Sequence, residues 1–260
     1  MELIFIALAA AGASLLTLFS GFGLGTLLTP VFALFFPVPV AIAATAIVHG
    51  ANNLFKLGLL ARDADWRVVA RFGLPAALAA FAGALLLGSL DHLAPLARYE
   101  LAGAQHDVTP VKLAIGSLIA IFALLELSPR FNALAFPARW LPLGGLLSGF
   151  FGGLSGNQGA LRSAFLIKAG LGKEAFVATG AVCAVIVDAS RLTVYGSSVL
   201  GRHFASVEGL LPAVACGTLA AFAGAWLGKK VLAKVTLGTV QRIVAAAMFA
   251  IGLALIAGLV

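Results

Sequence analysis

Long apolar stretches joined by short polar turns leave this chain few ways to fold. In hydrocarbon, every backbone N–H and C=O must find its partner inside the protein. Eight such stretches can be read along the 260 residues. The first runs from about Leu3 to Phe36, the second from behind Pro37 and Pro39 to about Ala61, the third over Val68–Leu90 and the fourth over Val111–Leu127. After a linker come the fifth, about Leu141–Ala169, then Ala175–Leu200, Leu210–Leu227 and Val240 to the C-terminus. Each is long enough to reach across about 30 Å of hydrocarbon. The expected fold class is an all-α polytopic integral membrane protein. Hydrophobic residues make up 62% of the chain and charged residues 10%, against roughly 25% charged in a soluble domain. With a mean hydropathy of +1.08, the partner for most of the surface is a lipid bilayer.

The formal charge of +7 does not indicate nucleic acid, because the basic residues are scattered through loops and helix ends without a basic stripe. Cys183 and Cys216 each lie in an apolar run and read as small core residues. Met1-Glu2-Leu3 lacks a basic n-region, so the first stretch is expected to remain in the mature chain. His92, His106 and His203 lie in loops and are too dispersed to suggest a metal. No HExxH, GxSxG or Walker A motif is present, which argues against an enzyme, and no cofactor is implied.

The first and fifth stretches are too long for one simple span, and both are interrupted. Ser20, Gly21, Gly23, Gly25, Thr29 and Pro30 break the first; Gly152, Gly153, Ser155, Gly156, Asn157, Gln158 and Gly159 break the fifth. One constant offset sets Gly25-Thr26-Leu27-Leu28-Thr29 against Gly159-Ala160-Leu161-Arg162-Ser163, and Ala44-Thr45 against Ala178-Thr179. This reads as a duplication, with residues 1–128 as one repeat, 129–140 as a linker and 141–260 as the second repeat. If both broken stretches cross the membrane, the loop Lys and Arg divide almost evenly between the two sides. If both turn back midway, one side holds Arg62, Arg67, Arg71, Arg130, Arg139, Lys168, Lys173, Lys229, Lys230, Lys234 and Arg242, and the other only Arg98, Lys112 and Arg202. The second arrangement obeys the positive-inside rule. It predicts re-entrant hairpins, inverted repeats, and both termini outside.

Four ionisable residues fall inside apolar stretches: Lys56, Arg162, Asp188 and Arg191. Each is expensive at membrane depth and normally faces a bundle interior or a wet cavity. Lys56 and Arg191 lie near segment ends and could snorkel to the interface, and Asp188 and Arg191, three apart, could simply pair. Arg162 follows the Gly-Asn-Gln-Gly break and is the stronger functional candidate. Glycine breaks expose backbone N–H groups at the start of half-helices, whose positive ends can hold an anion. Ser20, Ser155, Asn157, Gln158, Thr29, Ser163, Asn52 and Asn53 can add neutral donors. Such a site suits a small tetrahedral or pyramidal oxyanion. The alternative is that the glycines serve close helix packing. His49, three residues before Asn52, could carry a coupling proton or be a packing residue.

Ser20-Gly-Phe-Gly-Leu-Gly-Thr-Leu-Leu-Thr-Pro30 with Ala44-Thr45 and Asn52-Asn53 resembles the first repeat of the TauE/SafE sulfite exporter family. Gly149-Phe-Phe-Gly-Gly-Leu-Ser-Gly-Asn-Gln-Gly159 with Ala178-Thr179 is similar to its second repeat. The resemblance implies a secondary transporter in a bacterial inner membrane, with a small sulfur-containing anion such as sulfite or an organosulfonate as substrate. It further implies that Gly21, Gly23, Gly25, Asn52 and Asn53 line one half of a site, and Gly156, Asn157, Gln158 and Gly159 the other. Arg162 stands where a proline-containing stretch is commoner in the family, which makes it the residue expected to set substrate identity. A passive anion channel and a non-transporting membrane scaffold are the rival readings. A homo-oligomer is compatible with all of them.

Overall fold

A computed structural model describes residues 1–20, 23–60, 63–101, 103–200, 207–231 and 237–260. Helices dominate. The first broken stretch becomes α1 (Glu2–Ser20) and α2 (Leu24–Ala33), followed by α3 (Val38–Leu60), α4 (Trp66–Asp91) and α5 (Pro110–Leu127). A short α6 (Pro129–Asn132) and a 3₁₀ turn (Ala138–Trp140) occupy the linker. The fifth stretch divides into α7 (Leu141–Ser155) and α8 (Gly159–Leu166), and α9 (Lys173–Tyr195), α10 (Leu210–Val231) and α11 (Leu237–Ile256) complete the chain. The boundaries follow local chemistry. Asp65 accepts from the N–H groups of Arg67 and Val68 at the start of α4 (2.9 and 3.0 Å), and Thr109 caps α5 through Lys112 N–H (3.2 Å) ahead of Pro110.

The all-α expectation needs one correction. The polar segment between α4 and α5 contains a hairpin, β1 (Ala97–Leu101) and β2 (Ala104–Val108), paired antiparallel with Arg98 opposite Asp107 and Tyr99 opposite His106. Cross-strand partners explain it: Arg98 and Asp107 form an exposed ion pair (3.1 Å) and the Tyr99 and His106 rings stack. Among the described residues, five helical spans are long and apolar enough to cross a membrane: Val38–Gly58, Trp66–Asp91, Pro110–Leu127, Lys173–Ser198 and Leu210–Gly228. The first and fifth apolar stretches are split, and the eighth contributes an apolar helix over Val244–Ile256.

Both split stretches fold back on themselves. α7 has 15 residues, about 22 Å of helix at 1.5 Å per residue, short of the roughly 30 Å of a bilayer core. A Cβ on Gly144, at the start of α7, would overlap the ring of Phe165 at the end of α8. Phe165 also stacks on Phe136, whose N–H donates to Ala164 O (3.0 Å). In the first hairpin, Phe5 of α1 meets Phe35, just beyond α2, edge to face at 6.3 Å.

The connections sort to two ends of the bundle. At one end Ala64, Phe136, Ala169 and Leu171 pack against a shared apolar cluster, and Asp65 N–H donates to Thr179 of α9 (2.9 Å). At the other end Tyr99 of the β hairpin donates to Ala257 O (2.5 Å), and Cys216 of α10 donates to Leu3 O (3.6 Å). The N-terminus, the β hairpin and the C-terminus therefore share one end, and the α3–α4 connection and the linker share the other.

Small residues set the helix spacing. On α7, Gly145, Gly149 and Gly153 face α4, where an added Cβ would overlap the carbonyl oxygens of Phe72, Ala76 and Ala80 in turn. Four-residue spacing on both helices brings the backbones into direct contact. Gly224 of α10 lies against Ala11 of α1 in the same way, and Gly116 of α5 and Gly252 of α11 each approach the other's carbonyl oxygen. The principal partners are α4 with α7, α1 with α10, α5 with α11, α4 with α9, α3 with α9, α2 with α3 and α3 with α10.

Candidate functional site

The two hairpin tips meet inside the bundle. A Cβ on Gly25 would lie 2.9 Å from Gly156 O, and one on Gly23 would lie 3.4 Å from the backbone N and Cα of Gly159. Gly156 has φ +83°, a left-handed conformation that glycine adopts without a Cβ clash. It ends α7, with only Asn157 and Gln158 between it and α8. The first turns of α2 and α8 thus start side by side, with uncapped N–H groups near the crossing.

A polar stripe on α3 faces this crossing. Thr45, His49, Asn52, Asn53 and Lys56 recur at helical spacing, and none is more than 6% exposed. Opposite them on α9 stand Asp188 and Arg191, at 1% and 0%. Asp188 is the hub. Its Oδ2 lies 2.6 Å from His49 Nδ1, and its Oδ1 accepts from Arg191 Nη2 (2.6 Å), Arg191 Nε (3.0 Å) and Gln158 Nε2 (3.2 Å). Arg162 Nη1 donates to Gln158 Oε1 (3.4 Å), extending the network to α8. Arg191 also donates to Gly152 O (2.9 Å), and Tyr195 donates its hydroxyl to Gly153 O. These α9 side chains satisfy carbonyls in the last turn of α7, and the positive charge of Arg191 suits a helix C-terminus.

The pairing expected of Asp188 and Arg191 is present. The snorkelling expected as an alternative for Arg191 and Lys56 is not: Arg191 is enclosed by Asp188 and Gly152, and Lys56 is buried on the α3 stripe. Several expected donors already have protein partners. Asn157 donates to Ser155 Oγ (3.1 Å), Ser155 donates to Phe151 O (3.0 Å), and Asn53 donates to His49 O (2.9 Å). Asn52 Oδ1 accepts from Ser14 (3.2 Å), while its amide nitrogen is buried without a partner among the described residues. Gly21 lies outside the described residues.

Unsatisfied buried polar atoms are rare in folded proteins, yet several surround the crossing. Besides Asn52 Nδ2, the hydroxyls of Thr26, Thr29 and Thr45 are buried without a hydrogen-bond partner among the described residues. Thr29 Oγ1 would be 3.1 Å from a Cβ on Gly156, and Thr45 Cγ2 would be 3.8 Å from one on Gly25. Uncapped helix starts, unpaired hydroxyls, an amide donor and an excess of cations can together accept a small polar anion.

A family model described as Sulfite exporter TauE/SafE matches residues 5–255. The chain belongs to that family. No curated protein matches the sequence. The matched span takes in both hairpins and every helix that packs against them, so membership in the TauE/SafE family applies to the whole bundle. This TauE/SafE chain is an integral membrane protein of a transporter family, and its apolar helices agree with that placement.

Sequence reasoning did not single out Thr45, Thr26, Ser14 or Tyr195 as site residues. Thr45 had a usable signal, since it lies four residues before His49 on the polar face of α3. Ser14 and Tyr195 had none: they reach the site through packing between distant parts of the chain.

Proposed function

We propose that this chain is a secondary transporter of sulfite, or of another small sulfur oxyanion or organosulfonate, working by alternating access between two inverted repeats. The repeats are residues 1–128 and 141–260, joined by 129–140. Each contributes one re-entrant hairpin, and the anion binds where their tips cross. The observation that carries this reading is the crossing itself. Two glycine breaks from separate halves touch there, and buried donors without partners among the described residues line it. Anion binding at half-helix starts needs those features together.

Arg162 supplies positive charge beside the break. Asn52, the threonine hydroxyls and the backbone N–H groups of α2 and α8 supply neutral hydrogen bonds. The Asp188–Arg191–His49 cluster braces α9 and α3 against the tip of α7. The positive-inside rule puts the end bearing Arg67, Arg71, Arg130, Arg139, Lys168 and Lys173 in the cytoplasm of a bacterial inner membrane, with both termini outside. With that orientation, an inside-negative potential favours anion export by about 2.3 kcal/mol per charge per 100 mV.

Radiolabelled sulfite flux in proteoliposomes tests the proposal. Saturable flux with counterflow is expected in the wild type and a loss of at least about tenfold in Arg162→Ala, in protein that remains folded by size exclusion. Flux without counterflow would identify a channel. Absence of flux for sulfite, thiosulfate, taurine and sulfate alike would remove the transporter reading.

A further inference from the structure

The charge around the crossing does not balance. Arg191 is neutralised by Asp188, the carboxylate to which it donates twice. Lys56 and Arg162 remain. Among the described residues Lys56 has no hydrogen-bond or ion-pair partner although it is 6% exposed. Arg162 is half-buried, and its closest polar partner is the neutral Gln158. With His49 neutral, three cations against one carboxylate leave two positive charges over.

These two cations occupy the same interval along α9. On α9, the level of Asp188 meets His49 and Gly50 of α3, and the level of Thr179 meets Asp65 beyond the end of α3. Lys56 lies on α3 between those levels. Arg162 spans the same interval from the other side. Its Nε would lie 3.7 Å from a Cβ on Gly180, and its Nη1 reaches Gln158, which contacts Asp188. The two side chains are within electrostatic reach of each other. Both are displaced from the hairpin crossing toward the end formed by the α3–α4 connection and the linker.

Like charges held together away from water repel and are poorly solvated, so such a pair is sustained by an anion between them. A monoanion would leave one charge uncompensated, whereas a dianion cancels both. Arg offers a planar fork to two oxygens, and Lys a compact ammonium to a third. We infer that Lys56 and Arg162, one from each half of the chain, form a dianion-selective subsite for an oxyanion with at least three accessible acceptor atoms, on the path between the loop end and the hairpin crossing. This rests on the transport reading for its role, though not for the binding itself. It narrows the substrate class to doubly charged sulfur oxyanions and makes singly charged sulfonates poor ligands.

The test is thermal stabilisation of the purified full chain in detergent, titrated at constant ionic strength with thiosulfate, sulfate, methanesulfonate and nitrate. Holding ionic strength constant removes general screening. The two dianions should raise the melting midpoint saturably and the two monoanions should not. Lys56→Gln and Arg162→Gln should each weaken the apparent dianion affinity about tenfold or more, the size expected for a lost charge-assisted hydrogen bond. Lys56→Arg should retain most of it. Equal responses to methanesulfonate and thiosulfate, no response to any of the four anions, or an unchanged dianion response in Lys56→Gln would each overturn the inference. The wild-type comparison of dianions with monoanions decides the matter even if a variant does not fold. Flux separates this inference from the transport reading. Dianion binding without flux would remove the transport reading and leave the subsite standing. Saturable methanesulfonate flux equal in wild type and Lys56→Gln would do the reverse.

Discussion

At the scale of single residues, Asp188 and the unpaired threonines make opposite predictions. Asp188 holds Arg191, His49 and Gln158 at once, all of them buried. Removing one member of a buried pair leaves the other charge uncompensated, a loss of about 3–5 kcal/mol. Asp188→Asn should therefore lower the melting midpoint sharply, whatever it does to transport. Thr29 is the converse case. Its hydroxyl is buried beside Gly156 without a partner among the described residues, and replacing an unsatisfied hydroxyl with an isosteric methyl is neutral or stabilising. Thr29→Val is expected to keep or raise the melting midpoint while reducing sulfite flux. A drop in stability with flux intact would assign Thr29 to packing instead.

At the scale of elements, glycine has two separate jobs. Gly23, Gly25 and Gly156 let the hairpin tips cross, while Gly145, Gly149 and Gly153 let α7 lie directly on α4. The sequence reading offered binding and close packing as alternatives, and the close packing is present at Gly145, Gly149 and Gly153. Gly149→Ala would place a methyl against the Ala76 carbonyl. It should force the helices apart at a loss of about 1–3 kcal/mol, measured by thermal unfolding. Gly58→Ala is the control. Nothing lies within 4 Å of a Cβ there, so stability should hold or rise slightly with the better helix former.

At the scale of the whole molecule, the two ends of the bundle give a topology that labelling can check. In a variant without Cys183 and Cys216, single cysteines at Gln105 and Leu259 share one end, and one at Asp63 lies at the other. A membrane-impermeant thiol reagent applied to intact cells should modify the first two and reach Asp63→Cys only after permeabilisation. Labelling of Gln105→Cys and Leu259→Cys from opposite sides would contradict the shared end, and labelling of all three in reverse would invert the proposed orientation.

Much of this was legible in the chain because it depends on local properties. Hydrophobic length determines where helices run, and Gly156 with its neighbours marks a break that continuous helical hydrogen bonding cannot cross. Lys56, Asp188, Arg191 and Arg162 stand out because charge is costly in apolar stretches. Tertiary structure decided which of these groups neutralise one another. Spacing within α9 allowed an Asp188–Arg191 pair, but His49 on α3, 139 residues from Asp188, and Gln158 in the second break, 30 residues from it, join it only because separate helices pack together. The same packing occupies Asn157, Ser155 and Asn53 with protein partners and, among the described residues, leaves Asn52 Nδ2 and three threonine hydroxyls unpaired. The β hairpin also escaped the reading, because its strands are held by cross-strand pairs and by Tyr99 on Ala257 rather than by hydrophobic alternation. Sequence by itself determined the class of fold and the places where the chain must bend. Which donors remain free for a ligand is a property of contacts between distant segments, and only the tertiary structure decided it.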